Sequence, residues 1–488
     1  MNVLSLILWP ALSGLALMLF GKNNRAAQWA NLVFQLVWAG IAFSVLTSHS
    51  TSGSESFPVL YSWNWLPSLK SRFSLGLDAL NTPLIVLNVF LSIVLALYSI
   101  GKKSLSTGYL CLFSLLNASS VGSLMAADAL CFYFFWEFML IPMYFLIGRW
   151  GSKNRVYAAL KFFAFTMTGS LLMLLAIISL TYMSEVPSLG WHDLVMLKLP
   201  FQGWGSTAGL LFLGFLIAFA VKIPVWPVHA WLPDAHTEAP TGASVILAGV
   251  LLKLGVYGIA RWCLPLFPDA AHAVAPVMMF LGCAGILLGS FAAWRQTDVK
   301  RVIAYSSVAH LGFMVLGLFA MNVEALQGAM FQNLAHGLST GALFLIFGII
   351  YDRTHTRKIS DYGGLALKSG WLATAFVFSV MASIGLPGLP GFVGEFLVLM
   401  GTFMSQPVTA TIASFGVLFG AVYMLSLTRR MIWGPQGSTV ASHEIKLSWN
   451  EWAAIIPLIV AMLYLGLQPR GLLAYTEPAI TAVVTGLR

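Results

Sequence analysis

A chain of 488 residues that is 59% hydrophobic and only 9% charged, with a mean hydropathy of +0.85, lacks the polar surface of a soluble protein. Its formal net charge of +9 invites a nucleic-acid or other acidic partner, yet the positions of the basic residues explain that charge without one.

Apolar runs of about twenty residues, each long enough to cross roughly 30 Å of hydrocarbon, recur along the chain. Fourteen are readable, near 2–20, 28–48, 80–100, 107–125, 127–148, 158–182, 207–232, 242–264, 273–294, 300–320, 327–350, 369–404, 410–430 and 450–468. The pattern predicts an all-α polytopic membrane protein of about 14 transmembrane helices, with no segment large enough for a separate soluble domain. The first run has no basic segment in front of it, and Lys22 and Arg25 follow it. That arrangement suits a first helix with its N-terminus outside rather than a signal peptide. On this topology eighteen of the 26 Lys and Arg fall at one set of loops. Six (Lys70, Arg72, Lys198, Arg261, Arg470, Arg488) fall on the other side, and Lys222 and Lys253 lie within spans. The asymmetry puts the basic loops in the cytoplasm and both termini outside.

Two long outside loops, 49–79 and 183–206, contain Ser, Gly, Pro and Trp and are expected to pack over the membrane surface or against neighbours. The tail from Gly471 onward is mixed in character and is expected at the interface. Cys111, Cys131, Cys263 and Cys283 are scattered through apolar runs without CxxC spacing, so they read as small core hydrophobes. No Walker loop, dinucleotide fingerprint or HExxH motif is present. No cofactor is expected in this chain; chemistry that needs one belongs to a partner.

Two spans are interrupted. The seventh, AFAVKIPVWPVHAWLPDAH, carries Lys222 with Pro224 and Pro227 behind it. The twelfth, ASIGLPGLPGFVGEF, carries Gly385, Pro387, Gly388, Pro390 and Gly391 before Glu395. Broken helices five spans apart, each with an ionisable residue, point to an inverted-repeat transporter whose ion path runs past both breaks. The domains are therefore expected at 1–106 (three N-terminal helices), 107–264 (first repeat), 273–430 (second repeat) and 431–488 (last helix and tail).

Of the 43 Lys, Arg, Asp and Glu, four lie well inside apolar spans: Glu137, Lys222, Lys253 and Glu395. His310 and His336 are central in theirs. Each intramembrane charge costs roughly 2.5–3.5 kcal/mol, so four cost on the order of 10 kcal/mol, comparable with the stability of a whole domain. They must be paired, hydrated or at times neutral. A Glu137–Lys222 pair of variable separation would switch proton affinity, because burial and an opposite charge act on a lysine in opposite senses. The bland alternative is a static ion pair, which stabilises less than apolar packing. His336 and His310 suit proton relay or simple packing. His229, near the end of its span, suits the inner mouth. Asp234, His236 and Glu238 are expected at the inner surface, and Arg149, Asp298, Ser306 and Ser307 as interfacial or packing groups.

These segments resemble a known family. FFWEFMLIPMYFLIGRWG, the long block AFAVKIPVWPVHAWLPDAHTEAPTGASVILAGVLLKLGVYGIAR, QTDVKRVIAYSSVAHLGF and AHGLSTGALFL are similar to helices five, seven to eight, ten and eleven of the antiporter-like subunits of respiratory complex I, NADH–quinone oxidoreductase. The resemblance spans nearly the whole chain. It implies fourteen helices, two inverted five-helix repeats with helices 7 and 12 broken, and a hydrated central axis. It implies Glu137 and Lys222 as the paired switch, and Lys253 and His336 as central relay groups. Glu395 stands where the L- and N-type branches and the multisubunit cation/proton antiporters usually carry lysine and the M-type branch carries glutamate, so the M-type branch fits best. One proton per cycle would pass from Lys222 through Lys253 and His336 to Glu395. FMN, iron–sulfur clusters and quinone would sit in partner subunits, with L- and N-type neighbours and phospholipids around this chain. The competing readings are a sodium/proton antiporter subunit, a membrane-bound hydrogenase module and, least of all, a passive scaffold.

Overall fold

The computed structural model describes residues 2–49, 57–183 and 185–487. Residues 50–56 and 184, inside the two long loops, and Arg488 lie outside that description. Among the described residues, eleven helices are long and apolar enough to cross a membrane. Four shorter apolar helices join them: Ser5–Phe20, Thr207–Lys222, Gly370–Ser383 and Pro390–Ser405.

The helices span a wide range of burial. Thr241–Leu266 is buried on every side (100%), and Val299–Phe319 and Val323–Thr354 almost so (94% each). Asn24–Ser48, Pro407–Ile432 and Trp449–Leu467 bury only 39%, 33% and 33%. A helix apolar all round belongs in the centre of a large bundle, and the three central helices carry Lys253, His310 and His336. Small residues bring them close. A Cβ on Gly337 would lie 3.0 Å from the Gly249 carbonyl and 3.5 Å from Lys253 Cε. A Cβ on Gly394 would lie 2.7 Å from Gln332 Cβ. Backbone contact of this kind is the packing that small residues permit between membrane helices.

Both expected breaks are present. The first broken helix stops at Lys222 and resumes as Trp231–Glu238; Pro224 and Pro227 supply no N–H across the gap. Trp231 Nε1 donates to the Val221 carbonyl at 2.9 Å, satisfying one freed acceptor. The second stops at Ser383 and resumes at Pro390, with Gly385 (φ +76°) and Gly388 (φ +90°) in backbone that favours glycine. Helix Thr241–Leu266 also contains two π turns, Leu247–Leu251 and Ile259–Cys263, which flank Lys253 and include Arg261.

One expectation needs correction. The fold is not purely helical: Val59–Leu66 and Ser71–Gly76 form an antiparallel hairpin in register Asn64↔Arg72. The segment VLYSWNWL is rich in β-branched and aromatic residues, which suit a strand, but its loop-like flanks hide it. The tail forms helix Arg470–Gly486, held to the central helix by Gln327 Nε2 donating to the Leu473 carbonyl at 2.8 Å.

Asp128 pins the hairpin to the bundle. It caps Ala129–Phe138 by accepting from Leu130 N and Cys131 N, and also accepts from Ser71 Oγ (2.8 Å) and Arg72 N (3.0 Å). Asp128→Ala is expected to cost roughly 3 kcal/mol, from the lost cap and the orphaned donors. The check is a fall of several degrees in the thermal midpoint of the assembled protein.

Candidate functional site

Four of the seven expected site residues touch in series. Lys253 Nζ meets His336 Nδ1. The His336 and His310 rings lie 5.4 Å apart between centroids. His310 Nδ1 sits 2.7 Å from Glu395 Oε1, placed to donate to it. The line thus crosses from helix Thr241–Leu266 through Val323–Thr354 and Val299–Phe319 to Pro390–Ser405, and all four side chains are buried. His310 lies between His336 and Glu395, a link that the family resemblance left out of the path. Gln332 Nε2 donates to Glu395 Oε1 at 3.0 Å, and Ser383 Oγ lies 3.2 Å from His310 Nε2. The carboxylate faces the second break: a Cβ on Gly385 would be 3.3 Å from Glu395 Oε2. His336 Nε2, Gln332 Oε1, Asn333 Oδ1 and Thr340 Oγ1 are buried along the line without a protein partner. Buried polar atoms of this kind carry a desolvation cost until a partner or a water reaches them.

Glu137 and Lys222 stand near one another but do not form an ion pair among the described residues. Lys222 Nζ has no hydrogen-bond partner and instead lies 5.0 Å from the Trp136 ring centroid and 5.9 Å from that of Phe162. Glu137 Oε1 is likewise unpartnered. Just beyond Glu137, Pro142 withdraws a backbone donor and the helix is interrupted at Met139. Each group is therefore held beside a helix defect and within electrostatic reach of the other, with Ser170 and Tyr133 also beside the Glu137 carboxyl. His229 lies within the first break, half-buried, with its ring 6.5 Å from that of Tyr305 and Nδ1 unpartnered. It is not part of the contact series.

The end of the bundle opposite the hairpin, which carries most of the basic residues, corrects the sequence reading. His236 is not a surface residue. It is 0% exposed, stacked on Phe344 at 4.6 Å, and both ring nitrogens lack partners. It lies within electrostatic reach of Lys300 and Lys253. Lys300, read as a loop cation, is buried and donates to the Ala239 carbonyl at 2.7 Å. It lines a cavity of about 220 Å³ whose wall includes Glu238, Asp352, Lys102 and Arg357. Only Ala239 and Pro240 separate the two helices at this corner, too little chain for an aqueous loop, and that was the one signal in the sequence. Glu238 and Asp234 are tied down: Arg357 Nη2 lies 3.4 Å from Glu238, and Lys161 and Arg301 hold Asp234 at 2.7 and 2.6 Å. Arg357 also pairs with Asp298 at 3.2 Å, where Asp298 caps Val299–Phe319. Arg149 stacks over Trp150, while Ser306 and Ser307 bond their own helix, as interfacial and packing groups do.

Arg261, which the charge asymmetry counts on the outer side, is buried within its helix and paired with Asp78 at 2.5 Å. The four cysteines are free and buried. Among the described residues, no group of three or more His, Cys, Asp or Glu is arranged to hold a metal.

Residues 126–424 match the family described as NADH:quinone oxidoreductase/Mrp antiporter, transmembrane. The chain is 38% identical over 496 residues to NADH-quinone oxidoreductase subunit M of Rhodobacter capsulatus, covering 99% of this chain and 96% of that one. It is 41% identical over 427 residues to the subunit M of Escherichia coli K12, covering 85% and 83%. A chain of respiratory complex I from Thermus thermophilus with bound NADH superposes with a TM-score of 0.91 at 30% identity over the full length of both. A chain of the Mrp complex of Dietzia sp. shares the fold, with a TM-score of 0.86 at 21% identity and 99% coverage of each. With the family match covering most of the chain and close relatives along nearly all of it, the chain belongs to the NADH:quinone oxidoreductase/Mrp antiporter family of membrane subunits.

Proposed function

We infer that the chain is a proton-translocating membrane-arm subunit of an NADH–quinone oxidoreductase, of the M type. The observation that carries the mechanism is the buried series Lys253–His336–His310–Glu395, in which each group exchanges protons and touches or faces the next. Lys222, beside Glu137, is the switch at the head of the path. An approaching Glu137 holds the proton on the lysine; a receding one leaves a desolvated ammonium that sheds it. His236 and Lys300 supply the link from the cavity at the basic end to Lys253. Glu395, facing the second break, is the terminal group.

The same reading takes the bundle as fourteen crossings: the eleven long helices, Ser5–Phe20, and the two broken pairs each counted once. Segments 107–264 and 273–430 are then inverted repeats. Each repeat then holds one broken helix with an ionisable residue beside the break, Lys222 in the first and Glu395 in the second. The basic end faces the cytoplasm of a bacterial inner membrane and both termini face outside. L- and N-type subunits and phospholipids cover the lipid-facing helices. FMN, iron–sulfur clusters and quinone sit in partners, whose redox steps drive this chain.

The test is to isolate the chain from its native membrane in mild detergent and assay NADH oxidation by quinone in the co-purified assembly. Flavin and iron–sulfur subunits with inhibitor-sensitive activity are expected. An assembly of membrane subunits alone, without redox activity, would move the assignment to the cation/proton antiporters. In the active complex Lys222→Ala is expected to stop coupled pumping and Glu137→Gln to impair it several-fold, in keeping with the 10²–10⁴-fold that positioned proton carriers typically contribute. Unchanged proton uptake per NADH in both variants would rule out the switch.

A further inference from the structure

Lys253, Tyr257 and Arg261 lie at four-residue intervals on one fully buried helix, so they form a ladder of about 12 Å from the centre of the relay toward the hairpin end. At that end is a cavity of about 420 Å³, lined by Trp191, Lys198, Asp269 and Val483 and reaching Arg261 and Asp78. A relay lysine this close to an open cavity, with a tyrosine hydroxyl between them, presents a short circuit. A proton reaching Lys253 from the basic end would leave at the hairpin end without visiting Glu395.

The contacts around Arg261 close that route. Tyr257 Oη donates to the Leu124 carbonyl at 2.7 Å and accepts from Arg261 Nε at 3.1 Å. A hydroxyl passes a proton only by accepting one while releasing another, and both of these hydrogen-bonding roles are already filled. Arg261 cannot take over, because a guanidinium does not give up its proton. Its Nη2 is held by Asp78 Oδ2 at 2.5 Å, while Asp78 Oδ1 accepts from Leu80 N and Asn81 N. The guanidinium face is covered by the Phe57 ring at 3.9 Å, with Trp191 and Tyr257 both at 5.4 Å. Arg261 and Asp78 are only 2% and 5% exposed, although they bound the cavity. A fixed, dry cation across a conducting path is the device by which water-filled pores exclude protons.

We propose that Arg261, clamped by Asp78 and Tyr257, is an electrostatic seal that isolates Lys253 from the cavity at the hairpin end and forces its proton sideways to His336. This rests on the relay reading above. The seal explains why a fully charged arginine is retained inside the bundle: it acts by never titrating, whereas the relay groups act by titrating.

The experiment uses the assembled complex in sealed vesicles and measures passive proton flux under an imposed potassium diffusion potential with no NADH present. That flux is independent of whether turnover pumps, so failure of the seal and failure of the relay reading are read separately. The variant of choice is Arg261→Gln combined with Asp78→Asn, which removes the cation without leaving a buried charge unpaired. It is expected to raise the passive flux about tenfold, one decade for each 1.4 kcal/mol of barrier removed, and to lower the proton gradient formed with NADH while quinone reduction continues. Arg261→Lys alone retains the cation and its Asp78 partner and is expected to stay tight and to pump. A double variant as tight as the parent would overturn the seal. Loss of pumping in Asp78→Asn alone, with no leak, would overturn it as well, since that result makes the carboxylate an exit group.

Discussion

Lys253→Met is expected to cut proton translocation on the order of a hundredfold, the scale on which a positioned proton carrier contributes, and to slow quinone reduction with it where the two are tightly coupled. The substitution is chosen so that folding survives. Methionine fills nearly the same volume, and replacing a buried ammonium by an apolar side chain removes a desolvation cost. His336 Nδ1 loses its partner, but its ring stays packed against His310. The check is proton uptake per NADH in vesicles, beside the amount of assembled complex. Normal pumping from a fully assembled variant would remove Lys253 from the path and leave the contact series as packing.

The second large effect concerns Glu395. Glu395→Ala is expected to abolish pumping and also to destabilise, because His310 Nδ1 and Gln332 Nε2 both lose a buried acceptor, at roughly 1–3 kcal/mol each. Glu395→Lys is expected to retain a measurable fraction. Gln332 Oε1 has no partner now, and rotation of its amide presents that oxygen to an ammonium, while a neutral His310 accepts from it. Proton uptake and assembly of the two variants, compared side by side, decide the matter. Equal loss in both would mean that the carboxylate is needed for its shape and hydrogen bonds rather than for ionisability.

These effects follow from how the bundle spends its polar groups. Near the basic end, ion pairs knit distant parts of the chain together. Lys102 pairs with Asp352 and Glu451, and Arg353 with Glu451 at 2.6 Å, linking the third loop, the longest central helix and Trp449–Leu467. Along the axis the pattern reverses, and titratable groups meet one another or remain unpartnered. Static pairing belongs to the frame and incomplete pairing to the path. Arg261 stands out on the axis helix because it is paired on the frame's terms.

The sequence by itself determined the polytopic membrane class and the two breaks, and it placed Glu137, Lys222, Lys253, His310, His336 and Glu395 within apolar runs. Those features depend on local composition: a charge or a proline within twenty apolar residues is visible wherever the chain later goes. Only the tertiary structure decided which of these groups meet. The approach of Gly249 to Gly337 and of Gly394 to Gln332 sets Lys253 on His336 and Glu395 beside His310, and glycines in apolar runs announce no partner. Likewise, the sequence around His236 and Lys300 has the polar character of a loop, and Arg261 stands near the end of its apolar run. Their burial comes from a short helix folding back beneath the first break, from the corner at Ala239 and Pro240, and from the hairpin that brings Asp78 over Arg261. A residue's depth in the membrane is written in its neighbours along the chain; its hydration and its partners are fixed by residues tens to hundreds of positions away.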